Sequence, residues 1–379
     1  MTDPVALTQA LISCPSVTPA DEGAMDVLER ALTDLGFACT RLPFGHPPDG
    51  PVENLFATLS GAPGPHFSFA GHSDVVPAGD LAAWSEDPFA ARLRDGFVVG
   101  RGAADMKGAL AAMIAATARH LSRGPLVGRL SFIITGDEEG PATFGTAPML
   151  DWMEAQGLVP DLCLVGEPTS QHHLGDMIKI GRRGSLNAWI TVNGAQGHVA
   201  YPDRADNPIT RLVAILADLK ARHLDSGNDW FQPSNLEITD VSVGNPATNL
   251  IPAQARARIN IRFNTAHTGA ALVEWIRATV AAHAPSSVVD VKISGEAFLT
   301  EPGALSALVS AAISDITGRT PELSTTGGTS DARFIRRLCP VVEFGLPGQS
   351  MHKVDEQAAV SDIEGLTAIY EALLARALA

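Results

Sequence analysis

The hydrophobic pattern of this chain changes near residue 179 and changes back near residue 293, and this double change constrains the possible folds most strongly. Before residue 179, short apolar runs such as HFSFAGH, RLSFIITGD and DLCLVGE alternate with helical patterns such as KGALAAMIAATARHL. Strands that alternate with helices are typical of an α/β domain with a largely parallel sheet. This pattern returns after residue 293 in the helix-like GALSALVSAAISDIT, the loop-like STTGGTSDARFI and the strand-like CPVVEFG.

The segment between the two changes has the order β-α-β-β-α-β. Its strand-like runs are IGRRGSLNAWITVNG, NLEITDVSVG, ARARINIRFN and SVVDVKIS, and its helical patterns are NPITRLVAILADLKARH and TGAALVEWIRATVAAH. This order is that of a ferredoxin-like split βαβ unit. A chain of 379 residues also exceeds the size that one hydrophobic core usually serves. We therefore predict that a domain of residues 179–292 is inserted into an α/β domain formed by residues 1–178 and 293–379.

The balance of charges excludes several classes of partner. The formal net charge is −15, from 27 Lys and Arg against 42 Asp and Glu. Nucleic acids and anionic membranes require basic surfaces, so we expect neither as a partner. A small anionic molecule needs only a local cationic pocket and stays compatible with this composition. No apolar run approaches the roughly 20 residues that cross a bilayer.

The N-terminal sequence MTDPVALTQALISC lacks the basic start and apolar core of a signal peptide. It predicts a helix instead, with Asp3 as the N-cap and Pro4 at the first helical position. The four cysteines are scattered without C-x-x-C spacing, which favours reduced thiols. Together these features predict a cytoplasmic protein.

Potential metal ligands follow several of the predicted strands, and another precedes a predicted helix. They are His72 and Asp74 in GHSDVV, Asp105 in GRGAADMKG, Asp137, Glu138 and Glu139 in GDEEG, Glu167 in VGEPT and His352 in SMHK. In open α/β sheets, ligands bind outside the carboxyl ends of the strands. If the sheet is parallel, these side chains face one crevice.

The two histidines together with three of these carboxylates would already be too many ligands for one tetrahedral zinc ion. They suit two ions about 4 Å apart, with one carboxylate bridging both and a water held between them. Each residue taken alone also has a structural explanation, since a histidine at a strand end is usually hydrogen-bonded, Asp105 can cap its helix, and Glu167 can lie on the surface. The convergence of the whole set at predicted strand and helix ends favours metal.

Three other catalytic signatures are missing from the sequence. It contains no Walker A sequence, so a phosphate-binding loop of that type is not expected. It contains no G-x-S-x-G sequence for a serine hydrolase, and no G-x-G-x-x-G follows the early strands. A metal-dependent reaction therefore remains the best interpretation.

In order and spacing, the segments GHSDVVP, GRGAADMKG, GDEEG and VGEPTS resemble those of the dinuclear zinc aminoacylase and carboxypeptidase family, whose members hydrolyse amides. The resemblance covers nearly the whole chain. It implies a zinc-binding α/β domain that carries an inserted α+β dimerisation domain, or lid, and hence a homodimer. It also implies two Zn²⁺ ions per subunit, which Co²⁺ can replace.

The resemblance further implies a role for each residue of these motifs. His72 and Glu167 would bind one ion, His352 and Glu139 would bind the other, Asp105 would bridge the two, Glu138 would be the general base, and Asp74 would orient His72 and set its tautomer. A cis peptide bond would join Asp105 to Met106.

The segments GRRGSLN, QGHVAYPDRADNP, TNLIPAQARARINIRF and GGTSDARFI are similar to those of one branch of this family. Its members hydrolyse N-succinyl-LL-2,6-diaminopimelate to succinate and LL-2,6-diaminopimelate, on the route to lysine and peptidoglycan precursors. The substrate-binding residues expected from this similarity are Arg182, Ser185, His198, Asn249, Arg262, Gly328 and Thr329. The two arginines suit substrate carboxylates, and His198 is expected to act in the site of the other subunit.

Two alternatives stay open from the sequence. The protein could act on another N-acyl amino acid such as acetylornithine, or it could be a metal-free binding protein with the same fold. A comparison of succinyl and acetyl substrates tests the first alternative, and a measurement of metal content tests the second.

Overall fold

The computed structural model describes residues 2–47 and 50–379, which form two compact units. The larger unit comprises the chain up to Ile180 together with Thr300–Ser324 and Ser330–Ala379. The inserted unit comprises Gly181–Leu299 and Thr325–Thr329. The sequence-based limits of 179 and 292 lie close to these boundaries, and the separate roles predicted for the two domains stay predictions.

The first segment of the larger unit begins with the predicted helix. The Asp3 carboxylate accepts hydrogen bonds from the backbone N–H groups of Val5 (2.9 Å) and Ala6 (3.3 Å), so it is the N-cap. The elements of this segment are α1 (Pro4–Ile12), α2 (Ala24–Thr33), β1 (Ala38–Arg41), β2 (Leu55–Ser60), β3 (Ala62–His72), β4 (Arg92–Arg94), β5 (Phe97–Val99), α3 (Gly108–Ser122), β6 (Val127–Thr135), α4 (Thr146–Ala155), β7 (Leu162–Val165) and β8 (Met177–Lys179).

The inserted unit is built on a four-stranded antiparallel sheet, as its sequence predicts. Its elements are β9 (Gly181–Arg182), β10 (Gly184–Asn193), β11 (Gly197–His198), α5 (Pro208–Ala221), β12 (Asn235–Ser242), β13 (Leu250–Ile251), β14 (Gln254–Phe263), α6 (Gly269–His283), β15 (Val288–Gly295) and β16 (Phe298–Leu299). The strand order is β12-β14-β10-β15, and every neighbouring pair is antiparallel. With α5 and α6 as the two helices, this is the expected ferredoxin-like arrangement.

The core of the inserted unit lies between this sheet and its helices. Ile190 and Ile259 on the sheet share one buried apolar cluster with Leu212 of α5 and Ile276 of α6. Alternate residues of β14 are buried, which explains why its sequence alternates so regularly. The pattern that identified the unit is therefore the pattern of its core.

The chain then returns to the larger unit. The remaining elements are α7 (Ala304–Thr317), β17 (Glu322–Ser324), α8 (Ala332–Ile335), β18 (Val341–Glu343), β19 (Gln357–Ala359) and α9 (Val360–Ala377). The segment STTGGTSDARFI, expected to be a loop, ends in the single helical turn α8. One turn is too short to show helical periodicity in the sequence.

The main sheet of the larger unit is parallel at its centre. Its strand order is β1-β2-β6-β3-β7-β18-β8-β17, and the central strands β6, β3, β7 and β18 run parallel to one another. Antiparallel pairs join β1 to β2, β2 to β6 and β18 to β8. The expectation of a largely parallel sheet is confirmed for the centre, which is the part that carries the candidate ligands.

Helix α3 packs close to this sheet and to α9. It is buried from Gly108 to Ala118, and its many alanines allow neighbouring elements to approach closely. On the sheet, the ring of Phe69 lies 5.3 Å from that of Tyr370 of α9. This packing fixes the parallel strands whose carboxyl ends carry the candidate site. Among the described helices, none combines the length and the apolar character that a bilayer crossing requires.

Candidate metal centre

His72 is the last residue of β3 and is almost completely buried, with 1% of its surface exposed. Its Nδ1 lies 2.9 Å from the backbone carbonyl oxygen of Asp74, to which the Nδ1–H donates. This hydrogen bond leaves Nε2 as the atom for a ligand. Nε2 lies 3.1 Å from Oδ1 of Asp105 and 3.6 Å from Oε1 of Glu167, the second residue after β7.

Asp105 lies between two histidines. Its Oδ1 faces His72, and its Oδ2 lies 3.3 Å from Nε2 of His352. The peptide bond between Asp105 and Met106 is cis, as the family resemblance implied. Because its two oxygens lie beside different histidines, each oxygen can face a different ion, as a bridging ligand requires.

The candidate ligands form two groups that share Asp105. The ligand atoms within each group lie within 4.8 Å of one another: His72, Asp105 and Glu167 form the His72 group, and Asp105, Glu139 and His352 form the His352 group. Oε1 of Glu139 lies 2.9 Å from Nε2 of His352. Imidazole nitrogens and carboxylate oxygens suit zinc and neighbouring transition metals. The five side chains proposed as ligands thus converge, and the donor set fits two divalent ions.

The titration of these groups reflects the concentration of negative charge. Hydrogen bonds to Asp105 and Glu139 raise the pKa of His352 to about 10. Burial alone would lower the pKa of His72, yet the hydrogen bond to Asp105 and the charge of Glu167 raise it well above its usual value. Burial would raise the pKa of Asp105, yet hydrogen bonds with the two histidines hold it well below its usual range. The cluster therefore favours bound positive charge, whether protons or metal ions.

The acids of GDEEG have three different environments. Asp137 accepts hydrogen bonds from the backbone N–H groups of residues 142, 143 and 144, and so closes the loop after β6. Glu139 points to His352, whereas Glu138 belongs to neither ligand group and is placed beside the site. Burial, with the charges of Glu167 and Asp331, raises the pKa of Glu138 well above its usual value. One strand end thus presents a loop-closing acid, a candidate ligand and a candidate base.

Asp74 holds the two glutamates in this arrangement. Its Oδ1 accepts a hydrogen bond from the backbone N–H of Glu138 (3.2 Å), and its Oδ2 accepts one from Glu139 (3.0 Å). The same carboxylate lies 3.6 Å from Nδ1 of His72, whose hydrogen-bond partner is the Asp74 carbonyl group. The backbone carbonyl group of Asp74, rather than its side chain, is thus the hydrogen-bond partner of His72. The Asp74 side chain instead accepts hydrogen bonds from the GDEEG loop.

Sequence reasoning did not assign the buried charges next to Glu138. Nη1 of Arg333 lies 3.9 Å from Oε1 of Glu138, and Nη2 lies 3.9 Å from Oδ1 of Asp331. The Arg333 side chain is only 8% exposed, and the Asp331 carboxylate accepts a hydrogen bond from Thr146 (2.6 Å). The resemblance of the segment GGTSDARF predicts roles for Gly328 and Thr329 but not for Asp331 or Arg333.

All of the predicted substrate-binding residues belong to the inserted unit. Arg182 is buried, and its Nη1 donates to the carbonyl oxygen of Thr326 at 3.4 Å. Ser185 of β10 pairs with Arg262 of β14, whose Nε donates to Asn260 at 3.2 Å. Arg262 thus lies near the end of β14, and Arg182 lies in the short strand β9, which precedes β10.

The other predicted residues of the inserted unit lie in its loops and its small sheet. His198 of β11 is exposed, and its Nδ1 accepts a hydrogen bond from the N–H of Ala200 at 3.1 Å. Asn249, just before β13, is also exposed, and its carbonyl oxygen accepts a hydrogen bond from Val199. Gly328 is exposed and Thr329 is half-buried. The roles of all these residues in substrate binding stay predictions.

The chain is similar to known proteins over its full length. A model of peptidase family M20/M25/M40 matches residues 68–376. A succinyl-diaminopimelate desuccinylase from Rhizorhabdus wittichii is 64% identical over 379 residues, which cover 100% of this chain and 99% of that protein. A succinyl-diaminopimelate desuccinylase from Gluconacetobacter diazotrophicus is 60% identical, over 99% of this chain and 97% of that protein.

Solved structures share the fold. Aminopeptidase PepT from Bacillus cereus matches with a TM-score of 0.82 at 21% sequence identity, over 99% of this chain and 98% of that one. A dinuclear metal-binding peptidase of the M20 family from Bacillus subtilis matches with a TM-score of 0.73 at 16% identity, over 99% of this chain and 97% of that one. At these identities the likeness is one of fold.

Proposed function

The chain belongs to peptidase family M20/M25/M40, and on that premise we propose that it hydrolyses N-succinyl-LL-2,6-diaminopimelate. The reaction releases succinate and LL-2,6-diaminopimelate, which serve lysine and peptidoglycan precursor biosynthesis. The observation that carries this assignment is the identity of 64% over the full length with a protein named succinyl-diaminopimelate desuccinylase. The protein is accordingly a metal-dependent amide hydrolase.

We propose that two Zn²⁺ ions per subunit are the native cofactor, and that Co²⁺ can replace them. The arrangement of the two groups supports this, because they share Asp105 and each adds one histidine and one further carboxylate. His72 and Glu167 would hold one ion, and His352 and Glu139 the other. When bound, two divalent ions would activate a water molecule and polarise the amide carbonyl group.

Glu138 is proposed as the general base. It lies next to the candidate ligand Glu139 in the chain but outside both groups, and Asp74 and Arg333 hold its position. A buried carboxylate with a raised pKa accepts a proton readily, so Glu138 would take the proton of the attacking water. It would return that proton to the nitrogen atom of the leaving amine. The oxygen of the water bonds to the carbonyl carbon, and the bond between this carbon and the nitrogen breaks, so that succinate and the free amine are released.

The substrate carries several carboxylates, and we propose that Arg182 and Arg262 bind them. Both lie in the inserted unit, together with Ser185, Asn249, Gly328 and Thr329, which are proposed to complete the substrate site. Arginine suits this task because its guanidinium group can form two parallel hydrogen bonds with one carboxylate.

A cytoplasmic location also stays a proposal, supported by four cysteines that form no disulfide.

The assay that tests this function compares two substrates on the metal-loaded enzyme. N-succinyl-LL-2,6-diaminopimelate and N-acetylornithine are supplied separately, and release of the free amine is followed. We expect the succinyl substrate to be hydrolysed with the higher kcat/KM. A preference for acetylornithine would assign the protein to a different acyl group.

We propose a homodimer in which His198 acts in the active site of the other subunit. The proposal rests on the resemblance of the segment around His198. Two inactive variants, Glu138→Ala and His198→Ala, test it after their subunits are exchanged. If His198 acts across the dimer, about a quarter of wild-type activity returns, because roughly half of the dimers are mixed and each has one complete site. If exchange is verified and no activity returns, a role of His198 in the active site of the other subunit is excluded.

A further inference from the structure

A buried ion pair that has no assigned role lies between two of the ligand-bearing segments. Arg101 precedes Asp105 in GRGAADMKG, and Glu356 follows His352 in MHKVDE. The two residues are 2% and 0% exposed, and Nη1 of Arg101 donates to Oε2 of Glu356 at 2.6 Å. They are 255 residues apart in the chain, so the contact exists only through the fold.

The other oxygen of Glu356 holds the backbone at the candidate bridging residue. Oε1 accepts hydrogen bonds from the N–H of Ala104 (3.0 Å) and from the N–H of Asp105 itself (3.2 Å). The carbonyl oxygen of Glu356 also accepts the N–H of Gly100 at 2.8 Å. Both ends of the segment that leads to Asp105 are therefore attached to Glu356.

Arg101 extends these connections to the two segments that carry the histidines. Nη1 donates to the carbonyl oxygen of Lys353 at 3.3 Å, one residue after His352. Nη2 donates to the carbonyl oxygen of Pro77 at 3.4 Å, in the loop that follows His72. The guanidinium group also lies 5.3 Å from the ring centre of Trp84. One side chain thus contacts the loops of both candidate metal groups.

A gain in the stability of the fold does not explain why this ion pair is buried. Removing two charges from water costs several kcal/mol for each ion, and well-packed apolar side chains often replace a buried pair without loss of stability. Groups that hold metal ligands in place have a different benefit, because they set the orientation of the donor atoms before the metal binds. Apart from the bond between the two residues, the side-chain hydrogen bonds described above all reach backbone groups in ligand-bearing segments.

We propose that Arg101 and Glu356 are positioning residues for the dinuclear metal centre. Together they place the carboxylate of Asp105 between His72 and His352, so that each of its oxygens faces one histidine. This inference rests on the proposed metal-dependent function, but it concerns metal affinity and geometry rather than the identity of the substrate.

The test uses Glu356→Gln, which keeps the size of the side chain and removes its charge. A control, Glu371→Gln, removes another buried carboxylate of the larger unit, which lies in α9 and pairs with Arg123 at the end of α3. The wild type and both variants are stripped of metal and titrated with Co²⁺. Visible absorption reports the coordination geometry, and competition with a chelator reports the affinity.

We expect Glu356→Gln to bind both ions roughly 10–100-fold more weakly and to show an altered Co²⁺ spectrum. Glu371→Gln should match the wild type in both measurements. If folded Glu356→Gln kept the wild-type affinity and spectrum, or if the control were equally impaired, the positioning role would be wrong.

A second variant decides the question if Glu356→Gln does not fold. Arg101→Lys keeps the positive charge but cannot reach the same carbonyl groups, so we expect a smaller loss of affinity with the same spectral change. An Arg101→Lys protein with the wild-type spectrum and affinity would overturn the proposal. Wild-type protein that binds Co²⁺ but does not cleave the succinyl substrate would contradict the proposed function alone. Wild-type protein that binds no Co²⁺ would contradict both.

Discussion

The two groups of candidate ligands contain the same kinds of side chain in different surroundings. The His72 side chain is 2% exposed and stands at the end of a strand with parallel neighbours on both sides. The His352 side chain is 47% exposed and lies in the loop between β18 and β19, with a backbone φ of +61°. A strand end inside a sheet is held on both sides, whereas a loop depends on contacts with other segments. We infer that the His72 group is preorganised by the sheet and the His352 group by its loop contacts.

Metal binding and proton transfer are proposed for different residues of the GDEEG segment. Glu139 extends the His352 group, and its neighbour Glu138 lies outside both groups. Adjacent residues at a strand end point in different directions, so one strand can supply a ligand and a base. Substitutions at these residues should therefore distinguish the ligand from the base, and the His72 group from the His352 group.

Substitution of the adjacent glutamates should separate their roles. Glu138→Gln should retain both ions and lower kcat by roughly 10²–10⁴, because it removes the proton acceptor and leaves the ligands. Glu139→Gln should lose metal from the His352 group and keep it in the His72 group. Metal analysis together with steady-state kinetics checks both outcomes. Glu154→Gln, at an exposed acid near Arg337, is a control that should behave as wild type. The reverse pattern of metal loss would exchange the two roles.

Removal of the shared ligand should affect both groups at once. Asp105→Ala should weaken the binding of both ions by more than about 100-fold, because its carboxylate faces both histidines. Glu167→Ala should weaken only the ion of the His72 group. Calorimetric titration with Zn²⁺ distinguishes one site from two. If Asp105→Ala retained two tightly bound ions, Asp105 would not be a bridging ligand.

Metal affinity should rise with pH. The pKa of His352 is raised to about 10 by hydrogen bonds to Asp105 and Glu139, so this histidine is protonated at neutral pH in the metal-free protein. A metal ion must displace that proton, so affinity should increase roughly tenfold per pH unit for each proton displaced. Titrations between pH 6 and 9 measure this slope. An affinity independent of pH in this range would show that no proton is displaced.

The same shift has the opposite sign for the stability of the metal-free protein. The folded-state pKa of His352 lies above the ordinary histidine value of 6.5, so its contribution to stability is fully present below pH 6.5 and is lost as pH rises through about 10. The melting temperature of metal-free protein should therefore fall over this range, and His352→Asn should reduce that dependence. A variant with an unchanged slope would assign the effect to other groups.

The smallest expected effect is the order of metal release. Because the His352 group is the more exposed and lies on a loop, mild chelation should remove its ion first, with an affinity difference of roughly tenfold. Co²⁺-loaded protein, followed by absorption during slow addition of chelator, should show two phases. His352→Ala should abolish the faster phase and leave the slower one. Loss of the slower phase instead would reverse the order of the two groups.

Much of the candidate site could be predicted because its signals are local. His72 ends one apolar strand, Glu167 lies two residues after another, and the run FIITGDEEG shows a buried strand followed by acids. Parallel strands bring their carboxyl ends to one edge, so a set of local patterns predicts a shared location. The inserted unit could also be predicted from the sequence, because alternate residues of β14 are buried and the hydrophobic pattern therefore has a period of two.

The environment of Glu138 could not be predicted from local sequence patterns. Arg333 and Asp331 lie in a segment whose local pattern indicates a glycine-rich loop, and only the fold brings them near the GDEEG acids. The short antiparallel pairing of β18 with β8 was also missed, because it joins strands of three residues each. Elements this short bury too few residues to show a period.

Residue order over short stretches is enough to predict the two kinds of sheet, the inserted segment and the candidate ligands. The support of these ligands can be seen only in the folded chain. Arg101 and Glu356 meet across 255 residues, and their partners are mostly backbone groups of other loops. A backbone N–H or carbonyl group is the same at nearly every position, so a side chain that binds one leaves no complementary residue in the sequence.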